Sequence, residues 1–153
     1  MTSPELPLNR RIEALAQVAD GGLALRDLLG LKITDTTALA FLGKAAFDGR
    51  RYEDARTIFS ALVALEPDNP DHAFCVAEVE VKRGDPDAAV TWLDRYLHHD
   101  GVSSQAHRVN ALLLRASLTK ASRPEEAAAD IAFARCIGQF EPVANAIVKA
   151  VLQ

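Results

Sequence analysis

The sequence predicts an all-α protein of repeated helix pairs, and three observations carry the prediction. Alanine is abundant while aromatics make up only 6%. That mix suits close helix–helix packing better than a β-sandwich, which wants Val, Ile, Thr and Tyr. A spaced set of small and large apolar residues begins at Leu39, returns 34 residues later, and returns again after a further 38. Proline opens the second helix of the later copies, at Pro86 and Pro124, and a closing helix at Pro142; at that position its missing N–H costs nothing. With 153 residues, 49% of them hydrophobic and 25% charged, one domain can bury a core without disulfides or metals.

Taken in order, Leu8, Ile12, Leu15 and Ala19 form a first apolar stripe that Gly21-Gly22 break. Leu25, Leu28 and Leu29 form a second short helix. Gly30 through Thr37 hold helix-stop and helix-start signals, with Asp35 or Thr36 as the cap. Next comes Leu39-x-x-Leu42-Gly43, then Tyr52-Glu53-Asp54-Ala55, Phe59 and Pro67. Leu42, Gly43, Ala55, Phe59 and Pro67 match the tetratricopeptide repeat in type and spacing. Leu39 stands in for that pattern's Trp, and Ala46 stands where its Tyr belongs.

In the second copy Ala89, Leu93 and Tyr96 take the places of Ala55, Phe59 and Leu62, and Val76-Ala77 those of Leu42-Gly43. The turn Gly84-Asp85-Pro86-Asp87 stands for Gly49-Arg50-Arg51-Tyr52, shifted by about one residue, with Asp85 able to cap the helix that Pro86 opens. In the third copy Pro124-Glu125-Glu126-Ala127 repeats Pro86-Asp87-Ala88-Ala89, and Ile131 and Ala134 follow. Its four extra residues amount to about one helical turn. They lengthen either the first helix, from a cap at Ser103 or Ser104 to about Ala121, or the loop around Asp100-Gly101. Gly43, Ala55, Ala77 and Ala89 let helices approach, while Leu42, Phe59 and Leu93 fill the remaining space. Each repeat must stack on a neighbour to bury its apolar face, so the ends need caps. Val143, Ile147, Val148, Val151 and Leu152 lie along one side of a closing amphipathic helix. The chain therefore divides into an N-terminal helical segment (1–35), about three repeats forming a tetratricopeptide-repeat solenoid (36–141) and a C-terminal capping helix (142–153).

Stacked helix pairs curve, and the first helix of each pair lines the concave side. The inward positions are Thr37, Ala40, Lys44, Phe47 and Asp48 in the first copy, and Asp71, Phe74, Glu78, Val81 and Lys82 in the second. In the third, on a register shifted by 38, they are Val109, Leu112, Ala116, Thr119 and Lys120. Such a mixed face suits an extended peptide, with pockets for its side chains and polar groups for its backbone. The candidate peptide-binding set is Ala40, Lys44, Phe47, Phe74, Glu78, Val81, Lys82, Leu112 and Ala116. Helical spacing does not separate a groove Phe47 or Phe74 from one packed between helices.

The remaining composition points away from other chemistries. A net charge of −4 disfavours nucleic acid as the main partner. Cys75 and Cys136 form no disulfide framework and have no cysteine at metal spacing; both read as reduced, buried small hydrophobes of a cytoplasmic protein. Met1 to Leu8 has no apolar core of a signal peptide, and no run is long enough to span a bilayer. His98-His99-Asp100 reads as a solvated helix end, since adjacent helical side chains diverge. No phosphate loop, nucleophile elbow or paired-histidine metal motif is present, so the chain reads as a non-enzyme that needs no cofactor or metal.

Gly21-Gly22 before a short apolar helix, then Gly49-Arg50-Arg51-Tyr52-Glu53-Asp54-Ala55 through Phe59, Leu62, Leu65 and Pro67, resembles a particular group. These are the class II chaperones of bacterial type III secretion systems, and the likeness spans roughly residues 20 to 137. The resemblance implies a bacterial cytoplasmic chaperone. Its groove would hold an extended segment of a hydrophobic translocator and keep that protein soluble, without inserting into a membrane itself. It also implies an N-terminal dimerisation surface, here Ile12, Leu15, Leu25 and Leu28, and makes Phe47 and Phe74 groove anchors. Ala40 and Lys44 depart from the aromatics such chaperones tend to carry there. A general adaptor or structural subunit of a multiprotein assembly is the alternative.

Overall fold

The computed structural model describes residue 30 and residues 32–102 and 104–153. Among these lie seven helices and no strand: α1 (Ile33–Asp48), α2 (Tyr52–Leu65), α3 (Asp71–Arg83), α4 (Pro86–Leu97), α5 (Gln105–Thr119), α6 (Pro124–Phe140) and α7 (Pro142–Leu152). Each helix packs on its neighbour in sequence, and α7 also packs on α5.

Local chemistry sets several helix ends. Asp85 accepts the Ala88 N–H at 3.0 Å, Ser104 that of His107 at 3.3 Å and Glu141 that of Ala144 at 2.5 Å, opening α4, α5 and α7. Each such cap stabilises its helix by about 1 kcal/mol. The start of α1 differs from the sequence expectation. The helix begins at Ile33, where the Lys32 N–H donates to Asp35 at 2.8 Å. Thr36 is no cap; it is buried and donates its hydroxyl to Glu66 at 2.7 Å. The α1–α2 and α3–α4 turns agree without the one-residue shift. Arg50 (φ 59°) and Gly84 (φ 80°) both take the left-handed conformation, 34 residues apart. In each turn the next N–H closes back on the helix, Arg51 to Ala46 at 2.8 Å and Asp85 to Glu80 at 3.0 Å.

The core is three clusters in a row. The first joins Ala46, Ala55, Phe59, Leu62, Val76 and Val79; the second centres on Ala77, Leu93, Tyr96 and Ala111; the third on Val109, Leu112, Ala134, Ala144 and Val148. The first two borrow residues from the following helix pair, as a solenoid requires, and the third from the closing helix α7. Gly43 must be small because a Cβ there would lie 2.9 Å from Phe59 Cζ. Leu42 corrects the expectation of a core residue: it is 59% exposed.

Two ion networks tie successive repeats together, and sequence reading found neither. Glu80 of α3, fully buried, accepts from Arg56 of α2 at 2.6 Å and from Arg83 at 2.5 Å, and Arg83 also holds Glu53 at 2.7 Å. Arg115 of α5 grips Asp130 of α6 through two bonds of 2.8 and 2.6 Å and reaches Asp94 of α4 at 2.7 Å.

The third repeat's extra residues are divided between helix and turn. The starts of α3 and α5 are 34 residues apart, but α5 runs longer and the turn Lys120–Arg123 is longer than Gly84-Asp85. The loop around Asp100-Gly101 does not absorb them. The buried set Ala73, Val76, Ala77, Val79 and Glu80 recurs 36 residues on as Val109, Leu112, Leu113, Arg115 and Ala116. A register of 38 is therefore two residues out, and two residues turn a helix by about 200°.

Candidate functional site

Two pockets lie along the face formed by the first helices of the pairs. The larger, about 520 Å³, opens between α1 and α3. Ala40, Phe47, Phe59 and Cys75 give it apolar walls, and Lys44, Asp71 and Glu78 its charges. The smaller, about 340 Å³, opens between α3 and α5, with Phe74, Leu113, Leu114 and Val151 apolar and Glu78, Asn110 and Ser117 polar. Glu78 borders both.

Of the residues named from sequence, Ala40, Lys44, Phe47 and Glu78 meet at the first pocket, and Phe74 lines the second. Phe47 and Phe74 are half-buried and serve as both core and wall. Phe47 sits edge-on to Tyr52 at 5.7 Å, and Phe74 leans on Tyr96 at 5.4 Å. Val81 is half-buried and Lys82 exposed, and neither lines a pocket described above. Leu112 and Ala116 are each 3% exposed and point into the helix packing. The two-residue rotation explains this: the groove face of α5 is Asn110, Leu114 and Ser117. Val151 was also missed, because the closing helix presents it on the groove side while burying Ala144 and Val148. Ile12, Leu15, Leu25 and Leu28 lie outside the described residues.

The charges are unevenly paired. Lys44 is held by Asp48, one helical turn away, at 2.9 Å, and Asp71 lies 3.7 Å from His107. Among the described residues Glu78 makes no hydrogen bond or ion pair. It is exposed, yet the neighbouring walls desolvate it enough to raise its pKa against the opposing pull of Lys44, His107 and Lys82.

Burial, then the nearby carboxylates of Glu78 and Asp71, push the Cys75 thiol up to about 12. Cys136 departs from the expectation of a buried cysteine: it is exposed on α6. Iodoacetamide at pH 8 should therefore modify Cys136 as an exposed thiol. Cys75 should react roughly fiftyfold slower than an ordinary thiol, since thiolate loss outweighs its gain in nucleophilicity. Mass spectrometry of the labelled peptides checks this, and equal rates would show that the pocket wall is open to water.

The histidine pair does structural work. The Gly101 N–H donates to His99 Nδ1 at 2.9 Å, which leaves Nε2–H to donate to the Pro67 carbonyl at 3.3 Å and tie two loops together. No group of three His, Cys, Asp or Glu among the described residues converges to hold a metal ion. No described helix is long and apolar enough to cross a membrane.

The repeated pairs, their left-handed turns and the small residues at the crossings are what a tetratricopeptide repeat requires, and residues 42–106 match that repeat's family signature. The fold is a tetratricopeptide-repeat solenoid. No curated protein matches the chain in sequence. Among solved structures it is similar to the type III secretion translocator chaperone SycD of Yersinia enterocolitica, with 17% identity, 85% of this chain and 94% of that one covered, and a TM-score of 0.72. It is similar to a chain of a CopN–Scc3 complex, with 16% identity, 99% and 90% covered, and a TM-score of 0.74. It is also similar to the first tetratricopeptide repeat domain of Spaghetti (RPAP3) bound to the HSP90 peptide SRMEEVD, with 15% identity, 80% and 94% covered, and a TM-score of 0.61.

Proposed function

We infer that this solenoid is a non-catalytic chaperone that holds an extended segment of a protein partner along the α1–α3–α5 face. The observation that carries the reading is the pair of adjoining pockets that mix apolar walls with polar and charged groups. That arrangement accepts side chains from an extended chain and leaves its backbone to the polar rim. The partner class we favour is a hydrophobic translocator of a type III secretion system, kept soluble in a bacterial cytoplasm. The sequence likeness at Gly21-Gly22 and at Gly49 through Phe59 supports it, as does the fold shared along most of the chain with SycD, a translocator chaperone. The second reading, an adaptor within a protein assembly, is favoured by the likeness to a chain of a two-protein complex.

Affinity purification of the tagged full-length protein from its own cells, followed by co-expression with each recovered partner, tests the choice. Partners with long apolar segments should be insoluble alone and soluble when co-expressed. Recovery of only folded, independently soluble partners would favour the adaptor and remove the translocator reading.

A further inference from the structure

We propose that Glu78 makes the groove selective for a basic residue, lysine or arginine, set between two apolar side chains of the bound segment. This rests on the peptide-groove reading and names the chemistry of its occupant. The two pockets flank α3, so the width of one helix, roughly 10 Å, separates them. An extended chain in the polyproline conformation advances about 3.1 Å per residue and repeats its face every third residue. Two apolar side chains three positions apart therefore fill the two pockets, and either intervening residue passes over α3.

The group waiting on α3 is Glu78, which borders both pockets. Its carboxylate has no hydrogen bond or ion pair among the described residues, whereas the nearby cation Lys44 is already held by Asp48 at 2.9 Å. Lys82, one turn along from Glu78, is exposed and lines neither pocket. Phe47 and Ala40 on one side, with Phe74 and Leu114 on the other, wall Glu78 with apolar surface. A charge-assisted hydrogen bond gains strength in such surroundings. Asp71 on the rim of the larger pocket adds negative charge but lies 3.7 Å from His107, and Lys44, His107 and Lys82 all pull on Glu78. An acidic segment such as the SRMEEVD peptide held by the Spaghetti domain would instead meet like charge.

The test measures fluorescence polarisation of labelled twelve-residue peptides against the full chain. The peptides differ only in a core of Leu-Lys-Ser-Leu, Leu-Ser-Ser-Leu or Leu-Glu-Ser-Leu between glycine–serine flanks. The lysine peptide should bind about fivefold tighter than the serine peptide, and the glutamate peptide weaker than both. Glu78→Gln, checked by circular dichroism, should bring the lysine peptide to parity with the serine peptide while leaving the latter within about twofold. Equal binding of lysine and serine peptides to the wild type, or a lysine preference that survives Glu78→Gln, would overturn the proposal and leave the groove reading standing. If no peptide binds the wild type, the groove reading fails and this proposal with it.

Discussion

Arg115→Ala should lower the unfolding free energy by about 3–5 kcal/mol and the melting temperature by roughly 10 °C. Its guanidinium is the partner of Asp130, which is 5% exposed, and it also reaches Asp94, whose side chain is 39% exposed. Removing Arg115 leaves Asp94 enough water to stay solvated, but strands the Asp130 carboxylate between α5 and α6. The cost of that stranded charge outweighs any direct loss of attraction. Replacing both members, as Arg115→Met with Asp130→Leu, should recover most of the loss, because no buried charge remains. Thermal and urea melts followed by circular dichroism read both effects. A single variant that melts within a degree or two of the wild type would mean that water reaches Asp130. The other network should behave more mildly. Arg56 is half exposed, and Arg83 still holds Glu80 after Arg56 is removed.

Replacing Phe47 and Phe74 together by serine should abolish capture of the partner, a loss of about a thousandfold if each ring contributes about 2 kcal/mol as a buried anchor. The same change weakens the fold, since each ring packs against a tyrosine, Tyr52 or Tyr96. Ala40→Glu separates the two effects. It places a carboxylate on the wall of the larger pocket without opening a cavity beside Tyr52. It should therefore weaken capture while the melting temperature stays near the wild-type value. Co-purification of the partner with each variant, beside its melting curve, is the measurement. If the folded double variant still captures the partner, the binding surface is not this groove.

Much of the architecture was legible in the sequence because it depends on short-range chemistry. Asp85 and Ser104 cap helices since their side chains reach an N–H three residues on. Gly43 is small because the second helix of its own pair crosses there. The groove was legible as far as the repeats kept a 34-residue spacing, which is why Ala40, Lys44, Phe47, Phe74 and Glu78 were found at its two pockets. It was not legible in the third repeat. There the added residues divide between a helix end and a turn, and an error of two positions exchanges the outer face for the core. Leu112 and Ala116 fell on the wrong side of α5 for that reason, while Asn110, Leu114 and Ser117 went unnoticed.

Among the described residues, the sequence by itself determined the helix pairs and the side of α1 and α3 that faces the two pockets, since each follows from contacts within one repeat. Only the tertiary structure decided that Arg115 binds Asp130 and Asp94, that Val151 of the closing helix completes a pocket, that Leu42 and Cys136 are exposed, and that Glu78, which has no hydrogen bond or ion pair among the described residues, stands between two pockets. Each of these depends on how one repeat is rotated and stacked against the next, and a periodic pattern records the faces of a helix without recording which neighbour covers them.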